Sequence, residues 1–195
     1  MGRCDHNSRS EQPTWGIHLV AGLGSQTPPS DKTNIAVVNR QRTRTINLRL
    51  LKKIANALLT ELEIEKAEIG IYLAAAPEMT RLNETFLKHK GSTDVITFDY
   101  RDSVLSASCR QIKSEFPAGC WKHVHGEIFV CVDEAVLQAR KFGTSWQSEV
   151  IRYMVHGILH LLGFADSSAG ARRKMKWEEN RRLCEITHRF PLSKL

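Results

Sequence analysis

Two histidines four residues apart, His156 and His160, have the spacing in this sequence that most clearly suggests chemistry. Residues four apart on a helix project from the same face, so both imidazoles can bind one cation. Gly163 can adopt the left-handed conformation that ends a helix, and the resulting turn would bring Asp166 to the same point. Two imidazoles and one carboxylate suit zinc and leave its fourth position open for water. The pattern predicts a catalytic zinc site in which the zinc-bound water is the nucleophile.

The residue after the first histidine restricts the reaction. In His-Glu-x-x-His metalloproteases this residue is the glutamate that serves as general base, but here it is Gly157. A peptidase would therefore lack its base. Hydrolysis of a phosphodiester stays compatible with the pattern, because zinc acidifies its bound water and polarises a phosphoryl oxygen.

The composition is typical of a soluble globular protein with its own core: of 195 residues, 42% are hydrophobic and 25% are charged. No apolar run approaches the roughly 20 residues of a membrane-spanning helix, so we expect no membrane partner. The formal charge of +7 has two interpretations: it attracts a polyanionic partner such as nucleic acid, or it only keeps the protein soluble. Five scattered cysteines without Cys-x-x-Cys spacing indicate reduced thiols and a cytoplasmic protein.

The chain divides at about residue 33. Residues 1–33 are rich in Gly, Ser, Pro, Asn and Gln, which predicts a flexible N-terminal extension, and 34–195 form one domain. The polar stretch 102–119 is predicted to be a loop. Alternating or β-branched residues predict strands at 35–38, 67–75, 94–98 and 126–132. Helical spacing and end signals predict helices at 51–62, 77–86, 133–143 with Asp133 as N-cap, 146–162 and 169–186. Strands interleaved with helices indicate an α/β or α+β fold, in which helices cover a small mixed sheet.

The sequence around the histidines resembles the signature of the YbeY endoribonucleases, His-Gly-x-Leu-His-Leu-x-Gly-Tyr-Asp-His. The matching residues are His156, Gly157, Leu159, His160, Leu161 and Gly163, with Phe164 in place of the tyrosine. Further blocks resemble the family: Leu82-Asn83 its Leu-Asn, Thr93 to Phe98 its Thr-Asp-Val-Leu-Ser-Phe, and Gly126 to Ile128 its Gly-Asp-Ile. Met175 and Glu179 stand where the family has Met and Glu after the metal motif. The resemblance runs from about residue 34 to about residue 186.

This resemblance implies an α+β fold, with a small mixed sheet and helices around one Zn²⁺ per chain. It also implies a single-strand-specific, zinc-dependent endoribonuclease that matures rRNA, including the 3′ end of small-subunit rRNA, and takes part in ribosome quality control. The implied partners are single-stranded RNA, rRNA and the ribosomal small subunit or its assembly proteins. No DNA partner is expected.

The sequence also departs from the family pattern: Ala165 replaces the aspartate of the signature, and two further departures bear on the chemistry. Asp166 replaces the family's third histidine, and because a carboxylate lowers the net positive charge at the metal, we predict a less acidic bound water. Leu87 replaces an arginine of the family, so that any phosphate contact by this arginine would pass to other cations. The candidates for binding RNA are Arg81, Lys88, His89, Lys90, Arg172 and Arg173.

Two other functions fit the same residues. One is a zinc hydrolase of another substrate, such as a peptide or an amide, although Gly157 counts against a peptidase. The other is a non-catalytic ribosome assembly factor with a structural zinc, which Leu87 favours. Thr93 and Asp94 are either supports for the site or a turn into the strand that follows.

Overall fold

One mixed sheet organises the residues described by this computed structural model, which are 33–101, 123–195 and the backbone of a two-residue strand at 18–19. The strands are β1 (His18–Leu19), β2 (Asn34–Asn39), β3 (Lys66–Ala74), β4 (Val95–Asp99) and β5 (His123–Cys131). Their order is β1-β4-β5-β3-β2. β2, β3 and β5 run parallel, while β4 lies antiparallel to β5 and parallel to β1. The predicted α+β fold with a small mixed sheet is confirmed.

Five α-helices accompany these strands in the described part of the chain. They are α1 (Leu48–Glu61), α2 (Ala76–Leu82), α3 (Val132–Phe142), α4 (Trp146–Leu161) and α5 (Ala169–Arg189). A π-helical turn (Asn83–Leu87) extends α2, and a 3-10 turn (Leu192–Lys194) follows α5. Ser145 and Ser168 cap α4 and α5, because each hydroxyl accepts a hydrogen bond from the backbone N–H three residues later. Among the described helices, none combines the length and the apolar character needed to cross a bilayer.

The sheet separates two apolar clusters. Successive side chains of a strand point to opposite faces, and in β5 the side chains of Ile128 and Val130 join the larger cluster with α1, α4 and α5. Phe129 and Cys131 join the smaller cluster beside α2. Because both faces are covered, Ile128 to Cys131 are buried without interruption. The larger cluster is the core on which α4 lies.

Two glycines allow α4 to lie close to the sheet. A Cβ on Gly126 of β5 would be 2.3 Å from the Phe98 carbonyl oxygen and 2.6 Å from Leu161 Cδ2. A Cβ on Gly157 of α4 would be 2.5 Å from Ile128 Cγ2. A glutamate at position 157 has no room without displacement of the sheet, so helix packing accounts for the missing metalloprotease base.

The prediction that Asp133 caps α3 is wrong. This helix begins at Val132 after Cys131, and no side chain caps it. The Asp133 carboxylate instead accepts hydrogen bonds from the backbone N–H of Ala76, at 2.6 Å, and from the hydroxyl of Thr43. Asp133 therefore satisfies a donor at the start of α2, because the sheet brings the two helix beginnings together.

Two predictions fall largely outside the described residues. The polar stretch 102–119 lies wholly outside them. Of the N-terminal extension 1–33, the structure describes Thr33 and the backbone of β1, which pairs with Thr97 and Phe98 of β4. The flexibility of this extension and the division at residue 33 stay predictions.

Candidate metal centre

His156 and His160 lie on one face of α4, as their spacing predicts, and their Nε2 atoms are 2.9 Å apart. Gly163 follows the helix with a φ of +85°, a conformation that side-chain-bearing residues rarely adopt. The chain turns there, and Asp166 Oδ2 comes to 4.0 Å from His160 Nε2. One ligand atom from each of the three residues lies within 4.8 Å of the other two. The structure thus brings together all three residues that the sequence nominates as metal ligands.

The far side of each imidazole is held by an acceptor. His160 Nδ1 lies 3.0 Å from the Phe164 carbonyl oxygen, and His156 Nδ1 lies 3.1 Å from Glu179 Oε2. A carbonyl oxygen and an ionised carboxylate only accept hydrogen bonds, so both Nδ1 atoms carry the proton. The Nε2 lone pairs then point toward each other and toward Asp166. Such convergence of acceptors requires a shared proton or a cation between them, and the residues fit a divalent metal ion.

Charges around the histidines favour a cation at this point. Burial alone would lower the pKa of His156, but the hydrogen bond and the charge of Glu179, with the charges of Asp94 and Asp166, raise it above the ordinary value. Burial alone would raise the pKa of Glu179, but His156 and Arg152 lower it below its usual range. The Glu179 carboxylate is therefore ionised, and its charge favours a positive charge at His156.

Glu179 is fixed in its turn by Arg152. The guanidinium Nη1 of Arg152 donates to Glu179 Oε1 at 2.6 Å and to Asn180 Oδ1 at 2.8 Å. Arg152, His156 and His160 are spaced four residues apart on α4, so they form a polar line along one face of the helix. Sequence reasoning noted Glu179 but gave it no role, and it missed Arg152. The signal was a third polar residue, four positions before His156.

The predicted RNA-binding residues occupy two separate regions. Arg172 lies beside the candidate ligands, since its Nη1 donates to the Asp166 carbonyl oxygen at 3.0 Å, and Arg173 is exposed next to it on α5. The others are exposed on α2 and on the segment that leads to β4, where the Lys88 ammonium donates to the Thr85 carbonyl. These are Arg81, Lys88, His89 and Lys90.

Leu87, which replaces the family arginine, is a core residue. Only 7% of it is exposed, and it belongs to the apolar cluster with Met79, Phe98 and Phe129. Position 87 therefore stabilises the packing of α2 against the sheet and offers no cation to a phosphate.

Both interpretations of Thr93 and Asp94 describe part of what they do. Asp94 Oδ1 accepts hydrogen bonds from the Thr93 hydroxyl at 3.1 Å and from the Val95 N–H at 3.0 Å, which forms the turn into β4. The charge of Asp94 also raises the pKa of His156. The turn thus adds negative charge to the surroundings of the candidate ligands.

Removal of the Glu179 carboxylate tests whether its hydrogen bond orients the His156 imidazole for a metal ion. We expect Glu179→Ala to bind zinc about 10- to 100-fold more weakly, because the imidazole loses the acceptor that fixes its orientation. Competition with a chromophoric chelator measures this affinity. Glu185→Ala, at an exposed position of the same helix, is the control and should bind zinc as the wild type does. Equal affinities in the two variants would contradict the assigned role of Glu179.

Comparison with known proteins assigns this chain to a family. The family model described as endoribonuclease YbeY matches residues 34–187. The endoribonuclease YbeY of Aquifex aeolicus is 31% identical over 159 residues, which cover 82% of this chain and 91% of that protein. The one of Salinibacter ruber is 25% identical over 156 residues, covering 80% and 94%.

A solved structure agrees with the fold. The solution structure of a Thermotoga maritima protein covers 78% of this chain and 89% of its own, with a TM-score of 0.52 and 22% identity. The resemblance seen in the signature residues is confirmed. The enzyme class is confirmed with it, because the YbeY proteins are endoribonucleases, which are hydrolases of RNA, and the family is metal-dependent. The match extends over most of the chain, and the chain belongs to the YbeY endoribonuclease family.

Proposed function

We propose that this protein is a zinc-dependent endoribonuclease specific for single-stranded RNA, with one zinc ion held by His156, His160 and Asp166. The observation that carries the proposal is the convergence of two imidazole Nε2 atoms and a carboxylate, with ligand atoms within 4.8 Å of one another. Membership of the YbeY family supports RNA as the substrate.

Zinc is the ion that this set of donors suits best. Two imidazoles and one carboxylate are ligands of catalytic zinc sites, and three protein ligands leave a fourth position for the reaction. Magnesium and calcium prefer oxygen ligands, and a structural zinc site is commonly closed by four protein ligands. When bound, zinc supplies a Lewis acid that polarises a phosphoryl oxygen and acidifies a water molecule.

The protein residues orient and charge the site. Glu179 and the Phe164 carbonyl hold the Nδ1 protons of His156 and His160, which leaves both Nε2 atoms as donors to a metal ion. Burial of His160, whose side chain is 2% exposed, excludes bulk water from the inner side of the site. Arg172, beside Asp166, offers a cation near the position of a scissile phosphate.

The cations of the second region would act farther from the cleaved bond. Arg81, Lys88, His89 and Lys90 are exposed, so they can contact the phosphates of a longer RNA without reading its sequence. Their contribution should weaken as salt concentration rises, because phosphate contacts release counterions.

The cellular task that we propose is maturation of rRNA, including the 3′ end of small-subunit rRNA, and quality control of ribosomes. The partners would be the ribosomal small subunit or its assembly proteins, in the cytoplasm, and the catalytic domain would comprise residues 34–195. The names of the YbeY relatives and the positive charge of the chain support an RNA partner.

The test is cleavage of three matched substrates by the purified full-length protein, with the zinc content of each preparation measured. We expect cleavage of an unstructured RNA, and little or none of its duplex or of DNA with the same sequence. A chelator should stop the reaction and added zinc should restore it. Cleavage that persists without metal would overturn the proposal.

The alternative is an assembly factor that binds RNA without cutting it. The burial of Leu87 in the core favours it, because the family arginine is then missing from this chain. A preparation that carries one zinc per chain and binds RNA, but leaves it intact, would support this alternative over the endoribonuclease.

A further inference from the structure

The outward face of α5 carries an aromatic side chain among cations. Trp177 is 64% exposed, more than any other large hydrophobic residue that the structure describes. Arg173 and Arg181 lie four residues before and after it, and Lys174 lies three before it, so all four share one side of the helix. We name Arg173, Lys174, Trp177 and Arg181 the outer stripe.

The acidic residues of α5 offset the charge of one residue of the outer stripe, Arg181. The helix has seven arginines and lysines and three glutamates. Glu179 is buried against Arg152 and His156, on the other side of α5. Glu178 is also buried, and it accepts hydrogen bonds from both Arg181, at 2.7 Å, and Arg182, at 2.8 Å. The third, Glu185, pairs with Arg182. None of these three glutamates pairs with Arg173, which lies four residues before Trp177 on the same side of α5.

One face of the Trp177 ring is already supported by a cation. The Arg181 guanidinium carbon lies 5.4 Å from the ring centroid, and Glu178 fixes the same guanidinium. An exposed aromatic ring with one face near a cation and with further cations beside it is what single-stranded nucleic acids bind, since every base has a face that can stack. A lone tryptophan among charges forms no continuous apolar patch of the kind that docks a protein.

We propose that the outer stripe is a binding surface for single-stranded RNA, with Trp177 stacked on a base and Arg173 and Lys174 contacting the phosphates. This inference rests on the proposed function, which makes RNA the ligand. Arg172 joins the start of α5 to Asp166, and Trp177 lies five residues, or about 8 Å, farther along the axis. RNA bound on the outer stripe would therefore reach the candidate metal centre by passing over the start of α5 at Arg172.

Binding of RNA, measured apart from cleavage, tests the outer stripe. The ligand is a fluorescent, 2′-O-methylated single-stranded oligonucleotide, checked on a gel to be intact, and its anisotropy is followed with the full-length zinc-loaded protein. We expect Trp177→Ala to raise the dissociation constant about tenfold and Trp177→Phe to keep most of the affinity. The matched control is Leu137→Ala, which removes a side chain that is 55% exposed on α3 and should change nothing.

A charge reversal separates stacking from electrostatics. Arg173→Glu should weaken binding and flatten its dependence on salt, whereas Lys53→Glu, at an exposed position of α1, should do so less. Weaker binding by Arg173→Glu with unchanged binding by Trp177→Ala would overturn the stacking. Wild-type affinity in both variants would overturn the whole surface. If the wild type nevertheless cleaves RNA with zinc, the proposed function stands and only this inference fails.

Discussion

His160→Ala will lose both its zinc and its cleavage of RNA. The imidazole of His160 is central to the site: it lies 2.9 Å from His156 Nε2 and 4.0 Å from the Asp166 carboxylate. Without it, two ligands remain, on different elements, and they cannot hold zinc in a defined geometry. We expect the zinc content to fall from about one per chain to near zero, and the cleavage rate to fall about a thousandfold or more.

A contaminating nuclease is the main artefact of this measurement, so the variant and its control are purified in parallel. His188→Ala is the control, because His188 is an exposed histidine of α5 that hydrogen-bonds only to the Cys184 carbonyl and sulfur among its described contacts. It should keep the zinc and the activity of the wild type. Undiminished cleavage by a zinc-free His160→Ala protein would show that His160 is not part of the active site.

Asp166→Ala will lower the affinity for zinc about a hundredfold or more, because it removes the only acidic side chain of the three candidate ligands. Asp166→His should restore binding, since a histidine is an equally sound ligand at this position. Chelator competition gives the affinities. Ser167→Ala, an exposed change in the same turn, is the control for disturbance of the loop.

The Asp166→His variant also has a predicted pH dependence. A neutral ligand leaves more positive charge on the metal than a carboxylate does, and a water molecule there loses its proton more readily. Half-maximal activity should therefore occur at a lower pH than in the wild type. A pH–rate profile that does not move, or moves to higher pH, would contradict an active role of the Asp166 carboxylate.

The periodicity of the hydrophobic residues and the residues that end helices were sufficient to predict β3 and α4. Ala67 to Ala75 alternate, and the structure has β3 at Lys66–Ala74; Ser145 and Gly163 bound the helix that carries the histidines. The same local signals place the three candidate ligands, because a spacing of four residues and a glycine turn are properties of neighbouring residues. Only contacts within about ten residues were needed.

The contacts that local signals could not supply join distant parts of the chain. Glu179 is 23 residues after His156, and Asp133 is 57 residues after Ala76. The position of Asp133 in the sequence does not show whether its carboxylate caps α3, on which it lies, or accepts a hydrogen bond from the start of α2, because both roles use the same carboxylate. Likewise, Gly157 shows only a missing general base in sequence, whereas its contact with Ile128 requires the sheet.

The close seating of α4 on the sheet fixes two of the three candidate ligands when the chain folds. His156 and His160 belong to a helix that touches β5 at Gly126 and Gly157, so their conformational entropy is lost when the chain folds and not when an ion arrives. Asp166 lies instead in the turn 163–168, which is joined to α4 by the hydrogen bond between His160 Nδ1 and the Phe164 carbonyl oxygen and to α5 by the one that Arg172 donates to the Asp166 carbonyl oxygen. Folding thus preorganises two of the three candidate ligands on one rigid helix, and the geometry of a six-residue turn decides where the third lies.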